Sequence, residues 1–207
     1  MSSAQNASRS PDPRSERSSA ALAEAMMRLA RETPLNELTI TRLVQEAQVT
    51  RPTFYQHCNG IQDLAQRVAL ANLDRAIPEN AAPEATATDG AQLSAHVASH
   101  VCAALDHLEE NRAFYLNVLD HAGSVEFFEG IIRLLTAKMV ADAFAALRRA
   151  DPEAAEDLMQ VLAGGVMWLV IGWLRSEAPK DTPAAMSRRI GQTVATLLLS
   201  AGASARV

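Results

Sequence analysis

Apolar residues recur with the spacing of an α-helix through almost the whole chain, and this periodicity constrains the fold more than any other feature. In the first segment, the residues that follow the i, i+3, i+4, i+7 pattern are Leu22, Ala25, Met26 and Leu29. No stretch of the sequence combines strict alternation with the β-branched enrichment of strands. The sequence therefore predicts an all-α fold.

Prolines, glycines and capping residues divide this pattern into about nine helices. Pro34 ends the first helix, because the residue before a proline is pushed out of the helical region. Thr39 and Thr50 are placed to cap the second and third helices. The predicted helices span about 16–32, 40–47, 51–57, 60–77, 91–109, 112–121, 125–149, 153–176 and 183–200. Residues 78–90 lack periodicity and predict a linker between a small head and a larger body.

The distribution of charge is compatible with DNA contact, and the cysteine pattern argues against two classes of small domain. The net charge is −5, but residues 1–77 carry nine basic and eight acidic residues, whereas residues 78–207 carry ten and sixteen. A nearly neutral head on an acidic body permits DNA contact without proving it. Cys58 and Cys102 are far apart and form no Cys-x-x-Cys pattern, so neither a disulfide framework nor a zinc finger is indicated.

The sequence predicts a cytoplasmic protein that does not associate with a membrane. The first residues lack the apolar core of a secretory signal. The longest apolar run, 161–174, has 14 residues and is shorter than the roughly 20 that a spanning helix requires. We expect this run to form buried core or an interface.

The second and third predicted helices have the mechanics of a DNA-binding helix-turn-helix: a bracing helix, a tight turn and a short helix that presents its first residues. The run from Leu38 to Leu64, LTITRLVQEAQVTRPTFYQHCNGIQDL, resembles the signature of the tetracycline-repressor (TetR) family, and Thr53, Phe54, Tyr55 and His57 form its most specific part. The polar, Ser/Pro-rich first residues predict a disordered arm (1–15). The resemblance implies a DNA-binding domain with a connecting helix (16–77) and an effector-binding and dimerisation domain (78–207).

The same resemblance implies roles for individual residues of the head. Phosphate contacts are expected from Thr39, Tyr55 and His57. The residues expected at or near base edges are Thr41, Arg51, Pro52, Thr53 and Gln56, and the capping residue Thr50 joins this DNA-binding set. Chemistry singles out Arg51, because a guanidinium can bind guanine O6 and N7 with two hydrogen bonds. Phe54 should instead pack inside the head.

Two positions depart from the family pattern. Gln48 stands where the family usually has a turn glycine, so it must adopt a left-handed conformation or the turn must differ. Ile61 stands where the family usually has a lysine at the start of the fourth helix, so we expect one charged phosphate contact to be missing.

The last two helices have long apolar faces that predict a homodimer, because in the resembled family they pair with their symmetry mates and a two-fold protein suits a palindromic operator. The predicted interface residues are Leu158, Leu162, Val166, Leu169, Trp173, Ile190, Val194, Leu197 and Leu198. Val161 belongs to the same apolar face, and Gly164, Gly165 and Gly172 would let helices approach closely. Ordinary intramolecular core is the alternative for each of these residues.

The resemblance also implies a pocket for a small-molecule effector in the middle of the body. Its predicted wall residues are His100, Phe114, Tyr115, Phe127, Phe128, Met139 and Trp168. His96, His100 and His107 fall on one helix face, where they could bind a metal ion, line the pocket or form a solvated face. No complete ligand set is evident, so neither a metal nor a cofactor is predicted.

These features together predict a DNA-binding regulator, by family default a repressor that an effector releases from its operator. The first alternative is a helical protein-protein adaptor that keeps the head only as a bundle. The second is a helical enzyme, but the sequence has none of the nucleophile, metal-protease or phosphate-loop motifs that such an activity needs. We therefore expect no enzymatic activity.

Overall fold

In the computed structural model, the described residues are 13–78, 90–139, 151–177 and 181–204, without the side chains of Met139 and 201–204. Within these ranges the chain forms nine α-helices and no strand, which confirms the all-α prediction. In chain order the helices are α1 (Pro13–Glu32), α2 (Ile40–Glu46), α3 (Arg51–His57), α4 (Ile61–Ala76), α5 (Gly90–Glu110), α6 (Arg112–His121), α7 (Val125–Met139), α8 (Pro152–Arg175) and α9 (Pro183–Ser204).

The helix boundaries follow the local signals closely, with one difference at the N-terminus. Helix α1 begins at Pro13, inside the predicted arm, since a proline in the first turn sacrifices no helical hydrogen bond and Glu16 complements the positive end of the helix. Residues 1–12, most of the linker (79–89) and the predicted end of the seventh helix (140–150) lie outside the described residues.

The head consists of α1 to α4 around one apolar core. Helix α1 packs against the other three helices and buries Leu22 and Met26 completely. Leu43 from α2 and Phe54 from α3 are also fully buried. Phe54 therefore points inward, and the rest of α3 is left for the surface.

In the body, α9 packs most extensively along α5, whereas α8 packs mainly against α7. The approach of α9 to α5 is very close at Gly191, where an added Cβ would lie 2.3 Å from the carbonyl oxygen of Ser94. The body therefore contains one helix pair whose spacing depends on a glycine.

Side chains of the body cap helix ends of the head. Asn117 on α6 donates to the carbonyl oxygens of Ala30 and Thr33 at distances of 2.7 and 2.8 Å, and accepts from the Leu35 N–H at 2.9 Å. Lys138 on α7 donates to the carbonyl oxygen of Asp74 at 2.5 Å near the end of α4. Terminal carbonyl groups have no partner within their own helix, so these bonds fix α1 and α4 to the body.

Helix α8 is the one helix within the described ranges that is long and apolar enough to cross a membrane, by length and composition alone. An 18-residue window has a mean hydropathy of 1.5, and 28% of the window is buried. The helix contacts α6, α7 and α9 and buries Leu162, Val166 and Trp173 within the body. It therefore belongs to the helical core on one side and is apolar and uncovered on the other.

Candidate nucleic-acid interface and core cavity

The turn between α2 and α3 closes with the hydrogen bonds of a Schellman motif. Gln48 has a φ of 54°, its N–H donates to the Gln45 carbonyl at 3.2 Å, and the Val49 N–H donates to the Val44 carbonyl at 3.0 Å. Of the two possibilities for Gln48, the chain takes the left-handed conformation. A glycine would adopt it without the steric cost that a Cβ brings, so this turn keeps its geometry at some expense of stability.

Both helices of this unit are capped by threonine. Thr39 accepts from the Arg42 N–H at 3.2 Å, and Thr50 accepts from the Thr53 N–H at 3.3 Å. A hydroxyl that accepts one bond still has its own hydrogen to donate. Pro52 lies in the first turn of α3, where no internal N–H is needed. The Thr50 hydroxyl also lies 2.8 Å from that of Thr53, so this pair keeps one hydrogen to donate at the start of α3, and Thr39 keeps its own at the start of α2.

The outer face of α3 is polar and uncovered. Arg51, Pro52, Tyr55 and Gln56 are exposed, as are Thr39, Thr41 and Thr50 near the start of each helix, whereas Thr53 and His57 are half-buried. Among these residues, hydrogen bonds join Arg51 to Thr41 and Thr50 to Thr53. The Tyr55 ring is 58% exposed and stands edge-on to Phe54, with ring centroids 5.3 Å apart, so the buried ring supports the exposed one.

Arg51 also contacts α2. Its Nη2 donates to the Thr41 hydroxyl at 2.5 Å, which joins two of the residues predicted near base edges. Because a guanidinium has five N–H donors, this bond leaves others available for a base or a phosphate. The contact fixes the direction in which Arg51 extends from α3.

The end of α3 differs from the family pattern. Ile61 is buried at the start of α4, and the neighbouring Cys58 is buried with its thiol donating to the Phe54 carbonyl at 3.4 Å. Burial raises the pKa of the Cys58 thiol to about 11, so it stays protonated. Arg67 on α4 is exposed and donates to the His57 carbonyl oxygen. Arg67 was not among the residues predicted from sequence, because the packing of α4 against α3, rather than its position in the chain, places it beside His57.

The body contains an apolar cavity of about 90 Å³. It lies between the end of α4 and helices α5 to α9, and its walls include Leu73, Val101, Leu105, Phe127 and Val166. Tyr115 is the single hydroxyl-bearing or charged residue among the described residues that line it. The cavity therefore suits an uncharged, mainly apolar molecule.

The residues predicted as pocket walls are spread over several environments. Tyr115 and Phe127 line the cavity, but Phe114 is fully buried and Phe128 packs near Gly123, and neither is part of its wall. Trp168 does not line the cavity either, because its side chain is on the solvent side of α8 and is 70% exposed. The side chain of Met139 lies outside the described residues.

The three histidines of α5 also separate. His100 does not line the cavity, its ring stacks on His96 with centroids 6.4 Å apart, and its buried Nε2 has no hydrogen-bond partner among the described residues. Burial lowers the pKa of His100. His107 instead reaches the cavity wall through Tyr115, with 2.9 Å between His107 Nε2 and Tyr115 Oη. No group of three or more metal-ligating His, Cys, Asp or Glu residues occurs in the described part of the chain.

The predicted interface residues lie mostly inside the subunit. A second subunit could not reach five of them without opening the fold, since the structure buries Leu162, Val166, Trp173, Ile190 and Val194. Leu158, Leu169 and Leu198 are half-buried, and Leu197 is 49% exposed. Periodicity grouped the exposed Val161 with buried residues of α8, because it does not show which residues the rest of the subunit covers.

The outward side of α8 carries a different apolar set. Val161 and Trp168 are each 70% exposed, and an added Cβ on Gly165 or Gly172 would meet nothing within 4 Å. These four positions are spaced by 4, 3 and 4 residues and therefore share one face of the helix. We call Val161, Gly165, Trp168 and Gly172 the outer face of α8.

Comparison with known proteins bears on this architecture. Residues 96–196 match the TetR_C_8 family model, described as a transcriptional regulator C-terminal region. No curated protein sequence matches the chain.

Similar solved structures share the fold over most of both chains. A TetR transcriptional regulator from Streptococcus agalactiae has a TM-score of 0.55 and 19% identity, covering 87% of this chain and 95% of its own. The dihydroxyacetone kinase operon activator DhaS has a TM-score of 0.55 and 15% identity, covering 88% and 94%. The TetR family repressor AlkX from Dietzia sp., implicated in biodegradation of n-alkanes, has the same TM-score and identity, covering 88% and 95%. Residues 96–196 are thus similar to the C-terminal region of TetR-type transcriptional regulators, and the chain shares the fold of these solved structures.

Proposed function

We propose that this protein is a cytoplasmic, homodimeric repressor without enzymatic activity, which binds a palindromic operator through α3 and is released by a small, mainly apolar effector. In this proposal residues 16–77 bind DNA, and residues 78–207 bind the effector and form the dimer. The observation that carries DNA binding is the outer face of α3, where Arg51, Tyr55 and Gln56 are exposed while Phe54 alone is buried.

The contacts divide by chemistry. Arg51 contacts a base, because its guanidinium can bind guanine with two hydrogen bonds and its hydrogen bond to Thr41 fixes its direction. Pro52 and Thr53 offer apolar contact to a thymine methyl, and the hydroxyls of Thr39 and Tyr55 donate to phosphates. Arg67 beside His57 supplies positive charge near the position of the absent family lysine. In this proposal few charged side chains contact the operator. DNA affinity should therefore depend less on salt concentration than it does for a strongly basic DNA-binding domain.

The outer face of α8 supports the homodimer. An apolar helix face with a 70% exposed tryptophan is unfavourable in water, whereas a second copy of the same face would cover it. Gly165 and Gly172 have no Cβ to keep a partner helix away. The interface therefore centres on Val161 and Trp168, with Leu197 of α9 at its edge, rather than on the residues that the subunit buries.

The size of the cavity supports an effector that acts by displacement. Its volume of about 90 Å³ is well below the roughly 300–1,000 Å³ of typical ligand sites, so a ligand must push the walls apart. Leu73 and Ile77, at the end of α4, form part of that wall. Movement of α4 changes the position of the head, and a ligand that prefers the expanded state lowers operator affinity by that preference.

The experiment that tests DNA binding is selection of bound fragments from the source genome, followed by anisotropy titration of the selected duplex. Arg51→Ala should weaken binding by about 1–3 kcal/mol and relax the preference at one base pair in each half-site. Arg28→Ala is the matched control, because Arg28 lies on α1 rather than α3 and its guanidinium is paired with Glu46 at 2.9 Å. An equal loss on all sequences would reassign Arg51 to phosphate, and no selected duplex at all would favour the adaptor.

The sign of regulation is tested separately. Solved neighbours include a protein described as an activator and one described as a repressor, so the fold does not decide between them. We expect transcription from the selected promoter to rise when this gene is deleted. A fall would identify an activator and leave the DNA-binding surface unchanged.

A further inference from the structure

The wall of the body cavity consists almost entirely of hydrocarbon. It is formed by side chains at the end of α4 and on α5 to α9, and these are aliphatic or aromatic apart from the thioether of Met167 and the hydroxyl of Tyr115. A thioether sulfur is only a weak acceptor. Among the described side chains of the wall, the Tyr115 hydroxyl is therefore the one group that could form an ordinary hydrogen bond with a ligand.

The Tyr115 hydroxyl is engaged with a residue outside the wall. Its oxygen lies 2.9 Å from His107 Nε2, and His107 does not line the cavity. The amide nitrogen of Asn111 lies 2.9 Å from the His107 carbonyl oxygen and 3.3 Å from His107 Nδ1, and Asn111 Oδ1 accepts from Arg31 at 2.5 Å. These contacts hold the phenol toward His107. Tyr115 thus contributes ring carbons to the wall, and the surface of the cavity is almost wholly apolar.

Backbone groups at two ends of the wall are also bonded to residues outside it. Carbonyl oxygens at the end of a helix have no partner within that helix, so they could face a ligand. The Ile77 carbonyl at the end of α4 instead accepts from Lys138 Nζ at 3.2 Å, and the Leu174 carbonyl near the end of α8 accepts from Arg112 Nε at 2.8 Å. Neither Lys138 nor Arg112 lines the cavity.

A polar group on a ligand would therefore lose its hydrogen bonds to water and gain none in the cavity. Burial of a hydroxyl or carbonyl group without a partner is unfavourable, and burial of a charge is more so. A bridging water molecule would not replace the lost bonds, because it needs about two to four polar partners of its own. A hydrocarbon has no such bonds to lose, and it gains dispersion contacts with the wall.

We infer that the ligand of this cavity is a hydrocarbon, without any group that donates or accepts a hydrogen bond, and that the cavity rejects the hydroxylated form of the same molecule. The inference rests on the proposed effector site and narrows its ligand to one chemical class. An effector of this class releases the operator, whereas an alcohol of the same shape does not.

The test uses toluene and phenol, which have the same shape and differ by a methyl group in place of a hydroxyl. Their dissociation constants for the full-length protein without DNA are measured by titration, followed in methyl correlation spectra of ¹³C-methyl-labelled protein. We expect toluene to bind about 100-fold more tightly than phenol, as in a pocket without a partner for the hydroxyl. A ratio below about tenfold would overturn the inference, because the cavity would then offer phenol a hydrogen-bond partner.

A wall variant tests whether the probe binds in the cavity. Ala104 is a buried wall residue of α5, and a leucine there would fill much of the volume of about 90 Å³. Ala104→Leu should weaken toluene binding at least about tenfold. The matched control is Ala113→Leu on the exposed side of α6, which should leave toluene binding within about twofold. Intermolecular nuclear Overhauser effects between toluene and wall methyl groups of the wild type give the same location without a variant.

The outcomes separate this inference from the function on which it rests. Binding of phenol nearly as tightly as toluene would overturn the ligand class and leave the effector site intact. Failure of both probes to bind the wild type, or toluene binding that Ala104→Leu leaves unchanged, would overturn the effector site together with the inference, while operator binding would still stand on α3. If toluene binds in the cavity and phenol does not, but operator affinity stays the same, the ligand class holds and the release mechanism is overturned.

Discussion

Helices α8 and α9 have similar length, but α8 is the more apolar of the two and the structure uses them differently. Helix α9 lies along α5 and buries Met186, Ile190 and Val194, while its exposed positions include Arg188 and Gln192. Helix α8 covers the cavity with one side and leaves its outer face open. A helix with apolar residues on all sides is stable in water only when both sides are packed against other helices, whereas a helix with one apolar face needs a single neighbour.

The glycines of the two helices make the same distinction. Gly191 of α9 is needed inside the subunit, since a Cβ there would meet the backbone of α5. Gly165 and Gly172 of α8 meet nothing within 4 Å inside the subunit. A glycine in a helix is therefore informative only when the atoms that pack against it are known. Gly165 and Gly172 have no such neighbours inside the subunit and lie on the face that we assign to a second copy of the chain.

The largest expected effect comes from charging the outer face of α8. Replacing Val161 and Trp168 together by glutamate should raise the dimer dissociation constant by at least about 100-fold, because two apolar residues at the centre of an interface become four like charges in the dimer. Sedimentation velocity over a range of protein concentrations measures the change. Operator affinity should fall in parallel, since a palindrome needs two linked heads.

Val125→Glu provides the matched control for that experiment. Val125 begins α7 and is 69% exposed, nearly the same as Val161, but it lies outside the outer face of α8. It should leave the dimer intact. If the doubly charged α8 variant dimerises as tightly as wild type while keeping its helical circular dichroism, the outer face is not the interface.

A smaller effect is expected at the tight contact of α9. Gly191→Ala should lower the free energy of unfolding by about 1–3 kcal/mol, because the carbonyl oxygen of Ser94 cannot rotate away and the two helices must separate. Urea unfolding at one fixed protein concentration measures this loss, since dimerisation makes stability depend on concentration. A variant as stable as wild type would mean that Gly191 does not set the spacing between α5 and α9.

The helix boundaries and buried side chain of the head could be predicted from sequence because they depend on local chemistry. Thr39 and Thr50 cap α2 and α3 where the sequence places them, and Phe54 is buried as expected. Such signals act within a few residues and need no knowledge of the rest of the fold. The Arg31–Asn111 contact and the position of Arg67 beside His57 were beyond sequence reasoning, because they depend on how distant helices pack.

In the body the same kind of reasoning could not distinguish cavity from core. Phe114 and Tyr115 are adjacent and both buried, but only Tyr115 lines the cavity. Helical periodicity gives the relative directions of side chains on one helix. Packing against the other helices decides which residues each side chain contacts. Trp168 illustrates the limit, since an aromatic residue in an apolar run was expected at the pocket and lies on the outside.

The smallest effect that we predict tests the open glycines. In an isolated subunit Gly172→Ala should stabilise α8 by about 1 kcal/mol, because alanine is a better helix former and the added Cβ meets nothing. In the dimer that Cβ would face the partner helix, so the gain should vanish or change sign. Urea unfolding of Gly172→Ala in the wild-type background and in the doubly charged α8 variant measures the difference, with Gly165→Ala as a second site on the same face. A gain of equal size in both backgrounds would show that nothing packs against Gly172, and the interface would then have to lie away from this part of α8.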